Sequence, residues 1–163
     1  MPATRKASQH DIVVCEHSTD DLDLLAQMNH RLIEDEGHRN PMTVPELKER
    51  FKRFVAEDGW SVDLLMSGDE VIGFATHRYE VDEAAEGGRS AQLRQFFIDR
   101  QHRGAGVGRA ALKALIQARF KPGERIVLHV LENNLRGQAF WSRTGFVPYG
   151  RVMEMNVAAD EAE

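Results

Sequence analysis

A short glycine-rich segment is the part of this chain whose residue types are best suited to binding an anion. Its residues are Arg103, Gly104, Ala105, Gly106, Val107, Gly108 and Arg109. Three glycines within five residues leave the backbone uncovered, so a bulky anion could lie against it. The apolar periodicity of residues 110–120 predicts a helix whose unpaired N–H groups and positive dipole end would face that anion. Because arginines stand at both ends of the segment, we favour a pyrophosphate site over a turn that serves only tight packing.

The elements that would position this segment follow a mixed α/β pattern. Apolar alternation and turn residues predict strands over residues 12–15, 60–66, 71–79, 91–98, 126–130, 146–149 and 151–156. Capping residues predict helices that begin after Ser18, after Thr43, at Val107 and at Asn133 or Asn134. The order is β-α-α-β-β-β-α-β-α-β-β, an α/β domain with a mixed sheet, and the glycine-rich segment directly follows its fourth strand.

The length and composition indicate one globular domain. We place it at residues 11–157, between a disordered N-terminal tail of residues 1–10 and an acidic C-terminal tail of residues 158–163. The hydrophobic fraction of 42% is ordinary for such a domain. We expect neither a membrane span nor a secretory signal, because no apolar stretch has the length or the position that either requires.

Charge and cysteine content argue against several classes of function. A net charge of −5 argues against nucleic acid as the main partner. The single cysteine, Cys15, lies in an apolar run, where we expect a buried strand thiol. It cannot form an internal disulfide and fits a reducing compartment, so we expect a cytoplasmic protein. The seven histidines show no metal-ligand spacing, and we expect no metal site.

The order of elements and two motifs together resemble the GNAT superfamily of acetyl-CoA-dependent N-acetyltransferases. The first motif, Gln/Arg-x-x-Gly-x-Gly/Ala, corresponds to residues 103–108. The second corresponds to Asn134, the pair Phe140 and Trp141, and the pair Gly145 and Phe146, about thirty residues later. The resemblance extends from Ile12 to about Asn156, and the two motifs at this spacing are much more specific than the glycine motif alone.

The resemblance implies how acetyl-CoA, the co-substrate, would be held. The backbone of Phe96, Phe97 and Ile98 would run beside the pantetheine arm, and a bulge in that strand would turn an N–H toward the thioester oxygen. The glycine-rich segment would hold the pyrophosphate, Asn134 would contact the pantetheine, and Phe140 would line the slot. In this family the fourth and fifth strands splay apart and the co-substrate fills the gap. Members often dimerise, so a homodimer is among the expected assemblies.

The chain departs from the family at the position of the usual general acid. Many members have a tyrosine seven residues after the asparagine, where this chain has Trp141. An indole N–H can donate a hydrogen bond but cannot deliver a proton near neutral pH. Three alternatives remain: the thiol leaves as a thiolate helped only by a hydrogen bond or water, Ser142 or Tyr149 acts instead, or the chain binds the coenzyme and acetylates poorly. We favour the first and keep Trp141 as a candidate catalytic residue.

The general base is less well specified. The end of the first predicted helix carries Glu34, Asp35 and Glu36 beside the loop that shapes the acceptor pocket in the family, and we select Glu34 as the candidate. We also select Gln95, because either Arg94 or Gln95, next to the expected bulge, should point toward the acceptor. Arg94 in that position would suit an acceptor with a carboxylate.

Two functions of different classes follow from these residues. The first is direct transfer of an acetyl group from acetyl-CoA to a primary amine of a small molecule or peptide. The second is a non-catalytic module that binds (acetyl-)CoA in a sensory or scaffolding role, which Trp141 favours. A dinucleotide-binding domain is a weaker third reading, because the third glycine of the segment is misplaced for it.

Overall fold

The computed structural model describes residues 11–159. The predicted N-terminal tail lies outside the described residues, as does the acidic tail from residue 160 onward. The strands are β1 (Ile12–Glu16), β2 (Ser61–Ser67), β3 (Glu70–Val81), β4 (Arg89–Ile98) and β5 (Ile126–Val127). The helices are α1 (Leu22–Glu36), α2 (Val44–Ala56), α3 (Val107–Arg119) and α4 (Leu135–Arg143).

The five strands form one mixed sheet in the order β1-β2-β3-β4-β5. The first three pairings are antiparallel, whereas β5 pairs parallel to β4 after the crossover through α3. Short connections join β2 to β3 and β3 to β4, but β1 reaches β2 only after α1 and α2. The predicted mixed α/β domain is thereby confirmed for its first nine elements.

Local capping explains where α1 ends and where α2 begins. Thr43 and Glu46 form a reciprocal capping box at the start of α2, with the Thr43 N–H 2.7 Å from Glu46 Oε2. Gly37 ends α1 in the left-handed conformation at φ 64°, which glycine adopts without strain. Both signals were readable in the sequence, and both predictions are confirmed.

The helices cover opposite faces of the sheet. Phe74 and Phe97 of the sheet pack against α1 and α2 and are buried together with Phe51 of α2. Ala75 and Leu93 pack against α3 on the opposite face of the sheet. Ala75 and its neighbour Phe74 point to opposite faces, as successive strand residues do. Within residues 11–159, no helix is both long and apolar enough to cross a membrane.

Two predicted strands are absent, and a third is shorter than predicted. The strand predicted over residues 126–130 contains only Ile126 and Val127, and residues 146–149 and 151–156 form no strand. A strand needs a neighbour for its backbone groups and a cover for its apolar face, and β5 ends too early to pair with a following strand. Val147, Met153 and Met155 are therefore more than three-quarters exposed. Cys15 is also exposed rather than buried, since β1 is an edge strand.

Candidate active site

The glycine-rich segment forms a loop whose backbone faces outward. Gly104, Ala105 and Gly106 have φ values of 94°, 50° and 80° in succession. Alanine rarely adopts a positive φ, and Ala105 is the one non-glycine residue within the described chain that does so. None of the three N–H groups donates to an acceptor of the described residues. Helix α3 begins directly after this loop, so its first N–H groups and its dipole add to an anion-binding surface.

Asp35 anchors this loop to the end of α1. Its carboxylate accepts hydrogen bonds from Arg100 and from Arg103, whose Nη2 lies 2.5 Å from Asp35 Oδ2. The Nε of Arg103 also donates to the carbonyl of Ile98 at 2.7 Å. Although burial opposes ionisation of Asp35, the hydrogen bonds from the two arginines hold the pKa of its carboxyl below the ordinary value.

Arg103 and Arg109, the two ends of the motif, have different surroundings. The guanidinium of Arg103 is held by Asp35 and Ile98, so its main contacts position the loop. The side chain of Arg109 is exposed on the first turn of α3, and no ion pair joins it to a described residue. Arg109 is consequently the more available of the two charges.

A gap opens in the sheet beside β4. Pairing with β5 is limited to Ala91 with Ile126 and Gln92 with Val127, so β4 has no neighbour on that side from residue 93 onward. This confirms the splayed fourth and fifth strands. Phe96, Phe97 and Ile98 line the gap with backbone groups that β5 does not use. A β-bulge lies where the gap begins, because Gln95 pairs with Thr76 and Leu93 pairs with His77, which leaves Arg94 as the extra residue.

Helix α4 closes the gap from the other side. Asn134 caps it, with its Oδ1 accepting the Gly137 N–H at 3.0 Å, and its Nδ2 has no partner among residues 11–159. Phe140 stacks on Phe96 with ring centroids 6.0 Å apart and an interplanar angle of 14°. A Cβ on Gly108 would lie 3.1 Å from the Phe140 ring, so the missing side chain lets α3 and α4 approach closely.

Trp141 packs with the same aromatic residues. Its ring lies edge-on to Phe140 at 4.9 Å and to Phe146 at 5.2 Å between centroids. Of the two alternative acids, Ser142 is exposed on α4 and Tyr149 is fully exposed on the extended segment that follows it. The roles of Trp141, Ser142 and Tyr149 stay predictions.

The three acidic residues at the end of α1 differ in environment. Glu34 is exposed beside His30, and Asp35 is bound to two arginines. Glu36 is half-buried, and burial together with the neighbouring Asp35 charge raises the pKa of its carboxyl. A cavity of about 330 Å³ is lined by residues of both α1 and α4, namely Glu34, Asp35, Glu36, Gly37, Asn133, Asn134, Leu135 and Arg136. The cavity therefore places these carboxylates beside Asn134.

Gln95 belongs to a buried polar network. Its Oε1 accepts from Thr76 Oγ1 at 2.9 Å, and its Nε2 donates to Asn29 Oδ1 at 3.0 Å. Asn29 Oδ1 also accepts from Arg50 Nη2 at 2.7 Å. Sequence reasoning missed Asn29 and Arg50. Asn29 could have been noticed as the one polar side chain within the apolar stripe formed by Leu25, Met28 and Leu32.

His77 lies outside the candidate site, on the face of the sheet that α3 covers. Its Nε2 is 2.7 Å from Asp63 Oδ2, and Arg119 donates two hydrogen bonds to the same carboxylate. The three side chains join β2, β3 and the end of α3. No group of three or more metal-binding side chains occurs in the part of the chain that the structure describes.

Comparison with known proteins gives a family and several relatives. The sequence model of the Acetyltransferase (GNAT) family matches residues 25–146. The spermine/spermidine N(1)-acetyltransferase of Bacillus subtilis (strain 168) is 40% identical over 89 residues, which cover 52% of this chain and 57% of that protein. A "probable spermine N(1)-acetyltransferase" of Bacillus subtilis subsp. natto gives the same figures. The matched part thus spans a little more than half the length of these curated relatives.

Solved structures share the fold at low sequence identity. A possible acetyltransferase from Clostridium difficile 630 has a TM-score of 0.73 at 17% identity, over 91% of this chain and 98% of that one. A predicted acetyltransferase from Clostridium acetobutylicum, solved with acetyl-CoA, has a TM-score of 0.66 at 18% identity, over 89% and 96%. At such identities the likeness shows the fold alone.

Proposed function

We propose that this chain, which belongs to the acetyltransferase (GNAT) family, transfers an acetyl group from acetyl-CoA to a primary amine of a small molecule or peptide. One observation carries the proposal: the outward N–H groups of Gly104, Ala105 and Gly106 stand at the end of the gap beside β4. Such amides suit a diphosphate, and the unpaired edge of β4 suits an extended chain bearing amides.

The types and positions of the residues present suit the co-substrate. The glycine loop, with Arg109 exposed beside it, would bind the diphosphate, and the open edge of β4 and the free Nδ2 of Asn134 would bind the pantetheine amides. Acetyl-CoA supplies an activated thioester carbonyl. The backbone beside the Arg94 bulge would donate a hydrogen bond to that carbonyl oxygen as negative charge develops on it.

For the general base we propose Glu36 in place of Glu34. The acceptor amine must lose a proton to attack a carbonyl, and a base with a raised pKa accepts that proton more readily near neutral pH than an ordinary carboxylate does. Glu36 combines a raised pKa with a position in the cavity beside Asn134. On α1 it lies about 10 Å beyond Asn29, the residue that contacts the bulge strand, so it would take the proton through a chain of water molecules. Glu34 is exposed and paired with His30 at 3.6 Å. The thiol would leave as a thiolate, with Trp141 supplying at most a hydrogen bond.

Release of free thiol from acetyl-CoA in the presence of primary amines tests this function. Spermine and spermidine belong in the first panel because of the two Bacillus relatives. The variant Arg109→Glu should weaken acetyl-CoA binding, whereas Lys113→Glu, an equal charge change one turn along the same exposed helix face, should not. Full activity of Gly106→Glu with its fold intact would refute the site.

The alternative function is a module that binds the coenzyme without chemistry. The observation that favours it is Trp141 in the place of the family's usual tyrosine. Tight binding of acetyl-CoA without thiol release for any amine would distinguish this module from the enzyme. We also propose a cytoplasmic location, supported by the single cysteine.

We further propose a homodimer in which the apolar side chains of residues 147–157 of one copy pack against the other copy. In a single copy these residues expose Val147, Val152, Met153, Met155 and Val157. The segment is held to the α1–α2 connection by Arg39, which donates to both carboxylate oxygens of Glu154 at 2.5 and 2.6 Å.

A further inference from the structure

Two arginines beside the β4 bulge lack an anionic partner. Arg94 is the bulge residue itself, and no hydrogen bond or ion pair joins its guanidinium to any of residues 11–159. Arg50 on α2 donates only to the neutral Asn29, and its buried Nε has no hydrogen-bond partner in the described chain. Most other arginines that the structure describes are paired with a carboxylate, for instance Arg89 with Glu124 and Arg119 with Asp63.

The two guanidinium groups contact the same aromatic ring. The guanidinium carbon of Arg50 lies 5.2 Å from the Phe54 ring centroid, and that of Arg94 lies 4.9 Å from the same centroid. Arg94 is also 5.5 Å from the ring of Trp60. Contact with rings removes water from a guanidinium and leaves its N–H groups directed to the ring's periphery.

Within residues 11–159, neither guanidinium of this pair has a carboxylate at ion-pair distance. Burial, then the charges of Arg94 and Arg53, lower the pKa of Arg50 to about 10. Burial and the charge of Arg78 lower the pKa of Arg94 as well, against a smaller opposing effect of Asp58. Every other arginine with a shifted pKa in the described part of the chain is shifted upward by a carboxylate. An anion bound between Arg50 and Arg94 would supply the missing partner.

The position of the pair connects it to the reaction. Asn29 Oδ1 joins Arg50 to Gln95, which directly follows Arg94 on the bulge. The bulge stands where the gap between β4 and β5 opens. An acceptor whose amine reaches the bulge would therefore have the rest of its structure within reach of the two guanidiniums.

We propose that Arg50 and Arg94 form a subsite for a carboxylate of the acceptor, so that the acceptor is a primary amine that also carries a carboxylate. This inference rests on the proposed acetyl transfer. The fork of a guanidinium matches a carboxylate in shape and charge. A polyamine would bring a second ammonium group to the same place and would be repelled, so the acceptor class differs from that named for the two Bacillus relatives.

Acceptors matched in length test the subsite. We would compare 4-aminobutanoate, butylamine and 1,4-diaminobutane, together with the six-carbon series, by thiol release and by calorimetry on the protein saturated with CoA. The amino carboxylates should give the highest kcat/KM and should bind where the diamines do not. In Arg94→Gln this preference should fall about tenfold or more, the effect of losing one charged hydrogen-bond partner.

Two control variants make the result specific. Arg89→Gln, on the same strand and stacked over Tyr79 at 3.7 Å but paired with Glu124, should keep the preference. Arg50→Gln should reduce the preference as Arg94→Gln does. If Arg50→Gln fails to fold, Arg94→Gln still tests the subsite, because Arg94 is exposed and its replacement should not disturb the fold. Equal or better use of the neutral amine or diamine would overturn the carboxylate subsite and leave the transferase intact. Absence of thiol release with every amine would refute the proposed acetyl transfer. Calorimetric binding of amino carboxylates and diamines would then test the carboxylate subsite by itself.

Discussion

The guanidinium of Arg103 donates a hydrogen bond to the carboxylate of Asp35, with Nη2 and Oδ2 2.5 Å apart, although the two residues are 68 positions apart in sequence. This pair fixes the glycine-rich loop to the C-terminal end of α1, where Glu36 and the cavity beside Asn134 lie. The loop that would bind the diphosphate is consequently tied to the end of α1 by the Asp35 carboxylate, which also accepts from Arg100.

Replacing Asp35 with asparagine should destabilise the fold in a pH-dependent way. The pKa of Asp35 is lower in the folded protein than its ordinary value of 3.8, so its stabilisation is present above that value and is lost as pH falls through the folded pKa. We expect Asp35→Asn to lower the free energy of unfolding by about 1–2 kcal/mol at pH 7. In urea titrations the difference from wild type should shrink below pH 4, and a difference that is constant with pH would contradict this. Glu34→Gln is the control.

Asp63 should be far more important for stability than for catalysis. It is 2% exposed and accepts hydrogen bonds from His77 and Arg119, which outweigh the opposing effect of burial and lower its pKa. Asp63→Ala leaves both partners unpaired and should cost about 3 kcal/mol, measured by urea denaturation. Because the network lies at the opposite end of α3 from the glycine loop, the affinity for CoA below the melting temperature should stay unchanged. A weaker affinity would contradict this separation.

Glu36 should set the acid limb of the pH–rate profile. A base acts deprotonated, so kcat/KM should fall as pH drops through the raised pKa of Glu36, at a higher pH than for an ordinary glutamate. Glu36→Gln should lower kcat/KM about 100-fold and remove that limb. Glu34→Gln should retain both the rate and the profile, and the reverse pattern would restore Glu34 as the base.

The C-terminal segment should control the oligomeric state. Met153 and Met155 are 89% and 84% exposed in the single copy. The double change Met153→Asp and Met155→Asp should turn a dimer into a monomer in light scattering, as should removal of residues 147–163. Conversion of the exposed Glu83, which is remote in sequence from this segment, to glutamine is the control. A wild-type protein with the mass of one chain would refute the dimer.

Sequence reasoning succeeded where the determinants are local. The capping box at Thr43, the stop at Gly37 and the loop at Gly104–Gly106 each depend on a few adjacent residues, and all are present. It failed for the two closing strands, because a strand depends on a neighbour that local alternation does not reveal. Arg50 and Asn29 were missed for the same reason, since their significance arises from Gln95, 45 and 66 residues away.

The three successive positive φ values at Gly104, Ala105 and Gly106 also bear on product release. These amides are already oriented, so little conformational entropy is lost when a diphosphate binds. The diphosphate is common to acetyl-CoA and to the spent coenzyme, because the chemistry alters only the far end of the molecule. Free CoA should therefore compete with acetyl-CoA at comparable concentrations, and its departure, rather than the acyl transfer, should limit turnover when the acceptor is saturating.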